Sequence, residues 1–495
     1  MTRTARSDGS NLSTQQLDAL RTKVNGKVVV KGETPNEEYR PLIERWNRLH
    51  VKESNIIVLP ESEDDISTTI KFVAEHNLDV TISCGRHTYS GPSSGFGLVI
   101  DMRNMRKVTV DAEKKTAKAQ GGCIAGDVEK AAESVGLRAV MGAVNATGVG
   151  GITTGGGVSN LSGQYGLVAD NVVEARVALA DGRIVVASET ENPDLFWGIR
   201  GGGSNFGLVT EFTYKLHECD HEVYGGFLMF SPDKTAKVIS MLSTLHSDSI
   251  MKSNGKFAAT AFFGSMGGVL MPGFMVYYDG PEDEAKKWAK PLFDLEPLTP
   301  PSHCGMSPHT ATTDWAQFEK LFPPQFNRIL GTSTQMDYPI DEAVMTKAVN
   351  LYNEVISRHP ENLAVSKLII DLRDYSKIAS VPLDATAYAN RREGMLIAAD
   401  FIWDDPALDE EVTAAAKDWM GKVRAMIKES NSQKGIADVG AHVAATTLYA
   451  LITDGEEKLQ AVFGPNLLKM KQVKAKYDPN MMWNKWYPVE PESTS

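Results

Sequence analysis

The sequence predicts an α+β fold built from more than one folding unit, and three observations carry that prediction. From Asn55 onward, short apolar strands alternate with amphipathic helices. Beyond Cys219 the strands lengthen, and antiparallel sheet with helices on one face becomes the economical packing. Glycines crowd into three clusters, all within residues 84–207, at the ends of predicted elements. A chain of 495 residues, 42 % hydrophobic and 23 % charged, is long enough for two or three units with cores of their own.

Residues 1–51 read as a polar leader followed by a short helix around PLIERWNRLH. The first regular unit spans residues 52–218. NIIVLP is a strand, and SEDDISTTIKFVAEHN is a helix with Ser62 as its N-cap and acids in its first turn. LDVTIS completes a β-α-β unit and runs straight into CGRHTYSG. GLVIDM is a strand, KVTVDAEKKTAKAQGG a strand and hairpin, and GDVEKAAESVG a helix ending at Gly136. VVEARVALADGRIVVAS is a hairpin turned at Asp181-Gly182. PDLFWGIR opens a short helix on Pro193, and GLVTEFTYKL closes the unit as a strand.

Residues 219–475 form the second unit, with strands in GGFLMFS, GKFAATAFFG, GVLMPGFMVYYDG, LAVSKLIIDL and MLIAADFIW. Its clearest amphipathic helix is PALDEEVTAAAKDWMGKVRAMIKE. Residues 476–495 carry an aromatic density unusual for a tail and are expected to dock back onto the first unit.

Charge and cysteines narrow the function. The balance of 51 Lys+Arg against 63 Asp+Glu gives −12, so nothing repays the repulsion of a nucleic-acid backbone. No run of eighteen apolar residues predicts a membrane span, and no apolar core follows the N-terminal basic residues as a secretory signal would require. Cys84, Cys123, Cys219 and Cys304 lie far apart and read as reduced thiols, which with the missing signal predicts a cytoplasmic protein. HECDH at 217–221 has zinc-protease spacing, but the alternation before it is that of a strand, and that chemistry needs both histidines on one helical face. GPSSG at 91–95 leads into a strand rather than a helix, so it is no nucleophile elbow. G-x-G-x-x-G and the P-loop pattern do not occur. No metal is expected.

The clusters CGRHTYSG, ATGVGGITTGGGVSN and GIRGGGSNFG remain. Glycines at this density let backbone approach a ligand, and their exposed N–H groups can hold a pyrophosphate without many cations. In their order and spacing, these blocks, together with the closing FGPNLLKMKQVKAKYDP, resemble the FAD-linked oxidases. More narrowly they are similar to the berberine-bridge-enzyme-like branch of the vanillyl-alcohol-oxidase superfamily. The resemblance implies a two-subdomain PCMH-type FAD-binding domain over 52–218, a substrate domain over 219–475, and FAD as the cofactor.

It further implies that His87 carries a covalent bond to the 8α carbon of the flavin, with backbone from Cys84, Gly85, Arg86, Thr88, Tyr89 and Ser90 around the pyrophosphate. Arg86 stands where the family usually has glycine, which would add a cation near the phosphates. Thr147, Gly148, Gly150, Gly151, Thr154 and Gly157 would follow the ribityl chain and ring. Asn171, Val172, Gly207 and Val209 would bracket the adenine side. The cysteine that gives some relatives a second link falls at Val144, which implies a single link.

The family's Tyr-x-Asn falls near Thr447-Leu448-Tyr449 and is not intact. Tyr449 is the first candidate for a substrate-facing phenol, followed by His442, Asn390 and Arg391. The resemblance implies oxidation of a small, mainly apolar metabolite in a secondary-metabolite pathway. Hydride would pass to flavin N5, and dioxygen would reoxidise the ring to give hydrogen peroxide. A redox-neutral cyclase or pericyclase of the same fold is the alternative.

Overall fold

A computed structural model describes residues 5–266, 268–298, 303–306, 328–436 and 455–492. The first layer is a four-stranded sheet in the order Lys27–Val30, Ile56–Leu59, Leu98–Asp101, Val80–Ser83. Leu98–Asp101 lies parallel to both of its neighbours, and the continuous burial of Ile56–Leu59 and Leu98–Asp101 is that of strands covered on both faces. Helix Glu63–Glu75 covers one face, with the Ser62 hydroxyl accepting from the Asp65 amide. The buried Asp65 carboxylate accepts from the amides of Asn25, Gly26 and Glu61. The N-terminal residues are therefore no free leader: Lys27–Val30 pairs with Ile56–Leu59, and Leu17 and Leu20 enter the core of this layer.

The second layer is antiparallel, in the order Val108–Asp111, Thr116–Gln120, Leu208–Glu218, Val172–Ala178, Ile184–Ser188. Leu137–Ala139 pairs with the far end of the long central strand. HECDH begins on that strand and leaves it in a turn, so it has no helix to align its histidines.

The third layer is an antiparallel sheet of seven strands among the described residues. Its order is His303–Met306, Val223–Met229, Val269–Tyr278, Phe257–Met266, Lys367–Leu372, Met395–Trp403, Arg328–Met336. Helices Thr235–Thr244, Glu342–Ile356 and Asp409–Gln433 bury one face, packing Val238, Met345 and Trp419 against Phe263, Ile370 and Phe401. The opposite face is left for the first unit. No helix among the described residues is long and apolar enough to cross a membrane.

The return to the first unit begins before residue 476. Leu459, Phe463, Met470 and Tyr477 already belong to the core of the second layer. Helix Leu467–Tyr477 carries a fully buried cation, Lys474, whose ammonium donates to Asp478, to the Asn205 carbonyl and to the Trp483 carbonyl. Asp478 in turn accepts from the amides of Met482 and Trp483. Lys474→Met leaves that carboxylate buried without its cation, and the expected cost is about 3–5 kcal/mol. Urea unfolding followed by tryptophan fluorescence measures it, and an unchanged midpoint contradicts it.

Candidate active site

One cavity lies between the glycine loops of the first unit and the open face of the third sheet. Strand Val80–Ser83 leads into it: Val80 and Ile82 face the cavity by strand alternation, and Cys84 continues the row. Burial pushes the Cys84 thiol up to about 11, so it is inert. Arg86 then takes φ +59°, a left-handed conformation costing an L-residue roughly 1–2 kcal/mol, where the family's glycine would be free of strain. Arg86 lines the cavity, and its guanidinium donates to the carbonyls of Pro41 and Glu44. The cation expected near the phosphates is thus spent on the N-terminal segment.

That segment also sets His87. The Trp46 amide donates to the Arg86 carbonyl, and the indole stacks on the imidazole with centroids 4.5 Å apart and planes 21° apart. Asn47, fully buried, donates to the carbonyls of Tyr89 and Ile329 and accepts from the Ile329 amide, bolting the histidine loop to the third sheet. Burial first, and the charge of Lys367 second, lower His87 to about 4, so at neutral pH its imidazole is uncharged. Its Nε2 is buried with no hydrogen-bond partner among the described residues.

The second glycine cluster meets this loop backbone to backbone. A Cβ on Gly85 would lie 2.2 Å from the Gly148 nitrogen, and one on Gly148 would lie 2.3 Å from the Gly85 nitrogen. Thr147, Gly148, Gly150, Gly151, Thr154 and Gly157 all line the cavity, as do Gly207 and Val209. Thr88 and Tyr89 line it too. Val144 lies on its wall, whereas Cys123 is buried elsewhere with its thiol on the Lys107 carbonyl.

Three expected cofactor residues stand apart from the wall. Ser90 folds back within its own loop, its amide donating to the Thr88 hydroxyl. Asn171 caps a turn, donating to the carbonyls of Tyr165 and Leu167, and its Oδ1 meets His217 Nε2 at 2.8 Å. Val172 packs into the core of the second layer. Among the catalytic candidates, Asn390 donates to Gln335, and Arg391 forms a buried pair with Asp170 at 2.6 Å and also donates to Thr386. Neither faces the cavity, because DATAYANR is an interdomain latch: the Ala387 and Tyr388 amides donate to the carbonyls of Trp197 and Arg200. His442 and Tyr449 lie outside the described residues.

The third sheet supplies groups that the sequence reading missed. Lys367, Ile369 and Asp371 project from one face of a strand, and Arg373 follows in the same alternation. Lys367 is paired in register with Asp400, and the outer neighbours in that row are Gly264 and Gly331, so no side chain flanks the pair. The Asp400 carboxylate is wholly buried; Oδ2 accepts from the Tyr89 hydroxyl at 3.2 Å and lies 3.9 Å from the Lys367 ammonium. Oδ1 has no partner. Burial raises Asp400 to about 6 against the opposing pull of Lys367 and the Tyr89 hydrogen bond. Asp371, two rows along the same face, is satisfied by Thr260, Tyr375 and Arg373. The signal was present in SKLIIDLRD, where Lys367, Asp371 and Arg373 interrupt an apolar strand on one face, and in the lone acid of MLIAADFIW.

Among the described residues, five buried polar atoms lining the cavity have no partner: Ser93 Oγ, His87 Nε2, Asp400 Oδ1, Trp483 Nε1 and Asn484 Oδ1. Buried groups of this kind are costly unless a ligand satisfies them. A glycine-lined trough with such groups at both ends, no phosphate-facing cation from Arg86 and a neutral histidine fits a flavin dinucleotide.

The comparisons with known proteins agree. The FAD_binding_4 family, an FAD binding domain, matches residues 54–188. FAD-linked oxidoreductase pgmH of Aspergillus terreus is 42 % identical over 497 residues, covering 98 % of each chain. FAD-linked oxidoreductase hasG of Aspergillus fumigatus is 28 % identical, covering 94 % of this chain and 97 % of that one. Among solved structures, 6-hydroxy-D-nicotine oxidase from Arthrobacter nicotinovorans superposes with a TM-score of 0.80 at 23 % identity, covering 97 % of this chain and all of that one. Berberine bridge enzyme from Eschscholzia californica gives 0.80 at 19 % identity over the same share of this chain. The fold and site are those of a flavin-dependent oxidoreductase. The chain belongs to the FAD-linked oxidoreductases, with the fold of berberine bridge enzyme.

Because the floor of the cavity depends on two backbones touching, Gly85→Ala is expected to yield folded protein without flavin. The ratio of visible flavin absorbance to protein absorbance checks this, and a wild-type ratio contradicts it.

Proposed function

We propose that this enzyme oxidises a small, mainly apolar metabolite of a secondary-metabolite pathway on an FAD attached once, through His87. The observation that carries the reading is Asp400, a buried cavity-lining carboxylate whose Oδ1 has no partner among the described residues and whose other oxygen meets Tyr89 of the histidine loop. Bound FAD supplies the chemistry, accepting a hydride from substrate and passing its electrons to dioxygen to give hydrogen peroxide. The chain supplies position and proton transfer. Trp46 fixes the plane of His87, and burial keeps the imidazole lone pair available for the covalent bond. Ile369, Leu396 and Met275 offer an apolar surface to the substrate skeleton. Asp400 Oδ1 takes the acidic proton of a substrate hydroxyl or amine, while Tyr89 holds the other carboxylate oxygen. Lys367 steadies the negative charge on either side of that transfer.

Asp400 works only when ionised, so the rate should rise with pH through about 6 and level off above it. Asp400→Asn is expected to slow flavin reduction by about 10²- to 10⁴-fold and to remove that acid limb. Anaerobic stopped-flow across pH measures both, and a retained limb sinks the assignment. Substrate turnover with a fully oxidised spectrum under those anaerobic conditions would favour the redox-neutral cyclase. His87→Ala should release all flavin on acid precipitation; a yellow pellet would refute the single histidyl link.

A further inference from the structure

We propose that the C-terminal segment reads the adenine of FAD, with the Trp483 indole N–H and the Asn484 side-chain carbonyl as its hydrogen-bonding partners. The proposal rests on the cavity being the FAD site and deepens that assignment at the end remote from His87.

The direction of the cavity fixes which half of the cofactor meets this segment. Strand Val80–Ser83 runs along the wall, and at about 3.3 Å per residue it spans roughly 10 Å before the loop that holds His87. Trp483 and Met482 share a core with Val80 at the strand's beginning, and Lys485 pairs with Asp79 just before it. The histidine and the C-terminal segment therefore stand at opposite ends of the trough. With the flavin ring at His87, the adenosine half lies against Trp483 and Asn484.

Two unsatisfied atoms wait there. Trp483 is 3 % exposed, and among the described residues neither its Nε1 nor the buried Asn484 Oδ1 has a partner. A donor beside an acceptor complements the N7 acceptor and N6 amino donor along one edge of adenine. Lys485 is occupied by Asp79, so the segment offers hydrogen bonds rather than free charge.

The segment is also held still. Lys474 donates to the Trp483 carbonyl and Asp478 accepts from the Trp483 amide. On the other side, Asn205 donates to the carbonyls of Trp486 and Tyr487 and accepts from the Val489 amide. Gly203, at φ +64°, lies against the Trp486 ring, where a Cβ would come within 1.9 Å of it. The third glycine cluster thus seats the reader, and the reader meets adenine. Preorganised groups of this kind lose little entropy on binding.

The test uses the full chain carrying His87→Ala, so that flavin binding is reversible, with FAD and FMN titrated by flavin fluorescence. Adding Asn484→Ala or Trp483→Phe should raise the Kd for FAD by about tenfold, the worth of one buried hydrogen bond, and that for FMN by less than about threefold. Equal losses for the two flavins, or an unchanged FAD affinity in both variants, overturn the proposal. A His87→Ala parent that binds neither flavin overturns the FAD site itself, and with it this reading.

Discussion

The structure turns on a contact that has no side chains in it. Gly85 closes the first sheet, Gly148 opens the short helix after the second cluster, and their backbones touch so closely that neither can bear a Cβ. The Cys84 sulfur donates to the Cys123 carbonyl beside this contact, and the Val149 amide donates to the same carbonyl. The two layers of the FAD domain are therefore welded at the floor of the cavity, and the exposed amides around the weld are what an anion meets. Backbone dipoles act without regard to net charge, so an acidic chain, at −12, is no obstacle to a dianionic cofactor at such a floor.

The ceiling obeys the opposite logic. Its sheet buries one face under helices in the ordinary way, and the other carries Lys367, Asp371, Arg373 and Asp400 against the trough. Burying a carboxylate and an ammonium costs several kcal/mol per ion, which stability alone does not justify. Asp371 recovers that cost through Thr260, Tyr375 and Arg373. Asp400 does not: one oxygen stays vacant and its pKa is displaced upward to about 6. Of two acids on one sheet face, one is fully satisfied, and the other is the one to which the proposed proton transfer is assigned.

Much of this was legible in the sequence where the signal was local. Hairpins at Asp181-Gly182, the Ser62 cap and the glycine loops are encoded by residues within a few positions of each other, and the structure returns them nearly unchanged. His87 was singled out through the family resemblance of the block around it, and the structure places it on the cavity wall. The ceiling could not be singled out, because alternation in SKLIIDLRD declares two faces without saying which meets the cavity. Asn171, Asn390 and Arg391 misled for a related reason: a polar residue near a glycine cluster reads alike whether it holds a ligand or another domain. Strand Arg328–Met336 and helix Glu342–Ile356 were not singled out at all, although their packing, once assembled, is ordinary.

Arg86 shows how a departure from a family pattern is absorbed. A non-glycine residue at φ +59° is strained, yet its side chain gains two carbonyl acceptors on the segment that carries Trp46. Trp46, in turn, stacks on the imidazole that follows Arg86. The strain and the stacking belong to one device: the left-handed turn aims His87 into the cavity, and the guanidinium holds down the segment whose indole keeps it there. A glycine would relax the turn while releasing the clamp, so the position is set by how firmly the histidine must be held rather than by the phosphates it was expected to serve.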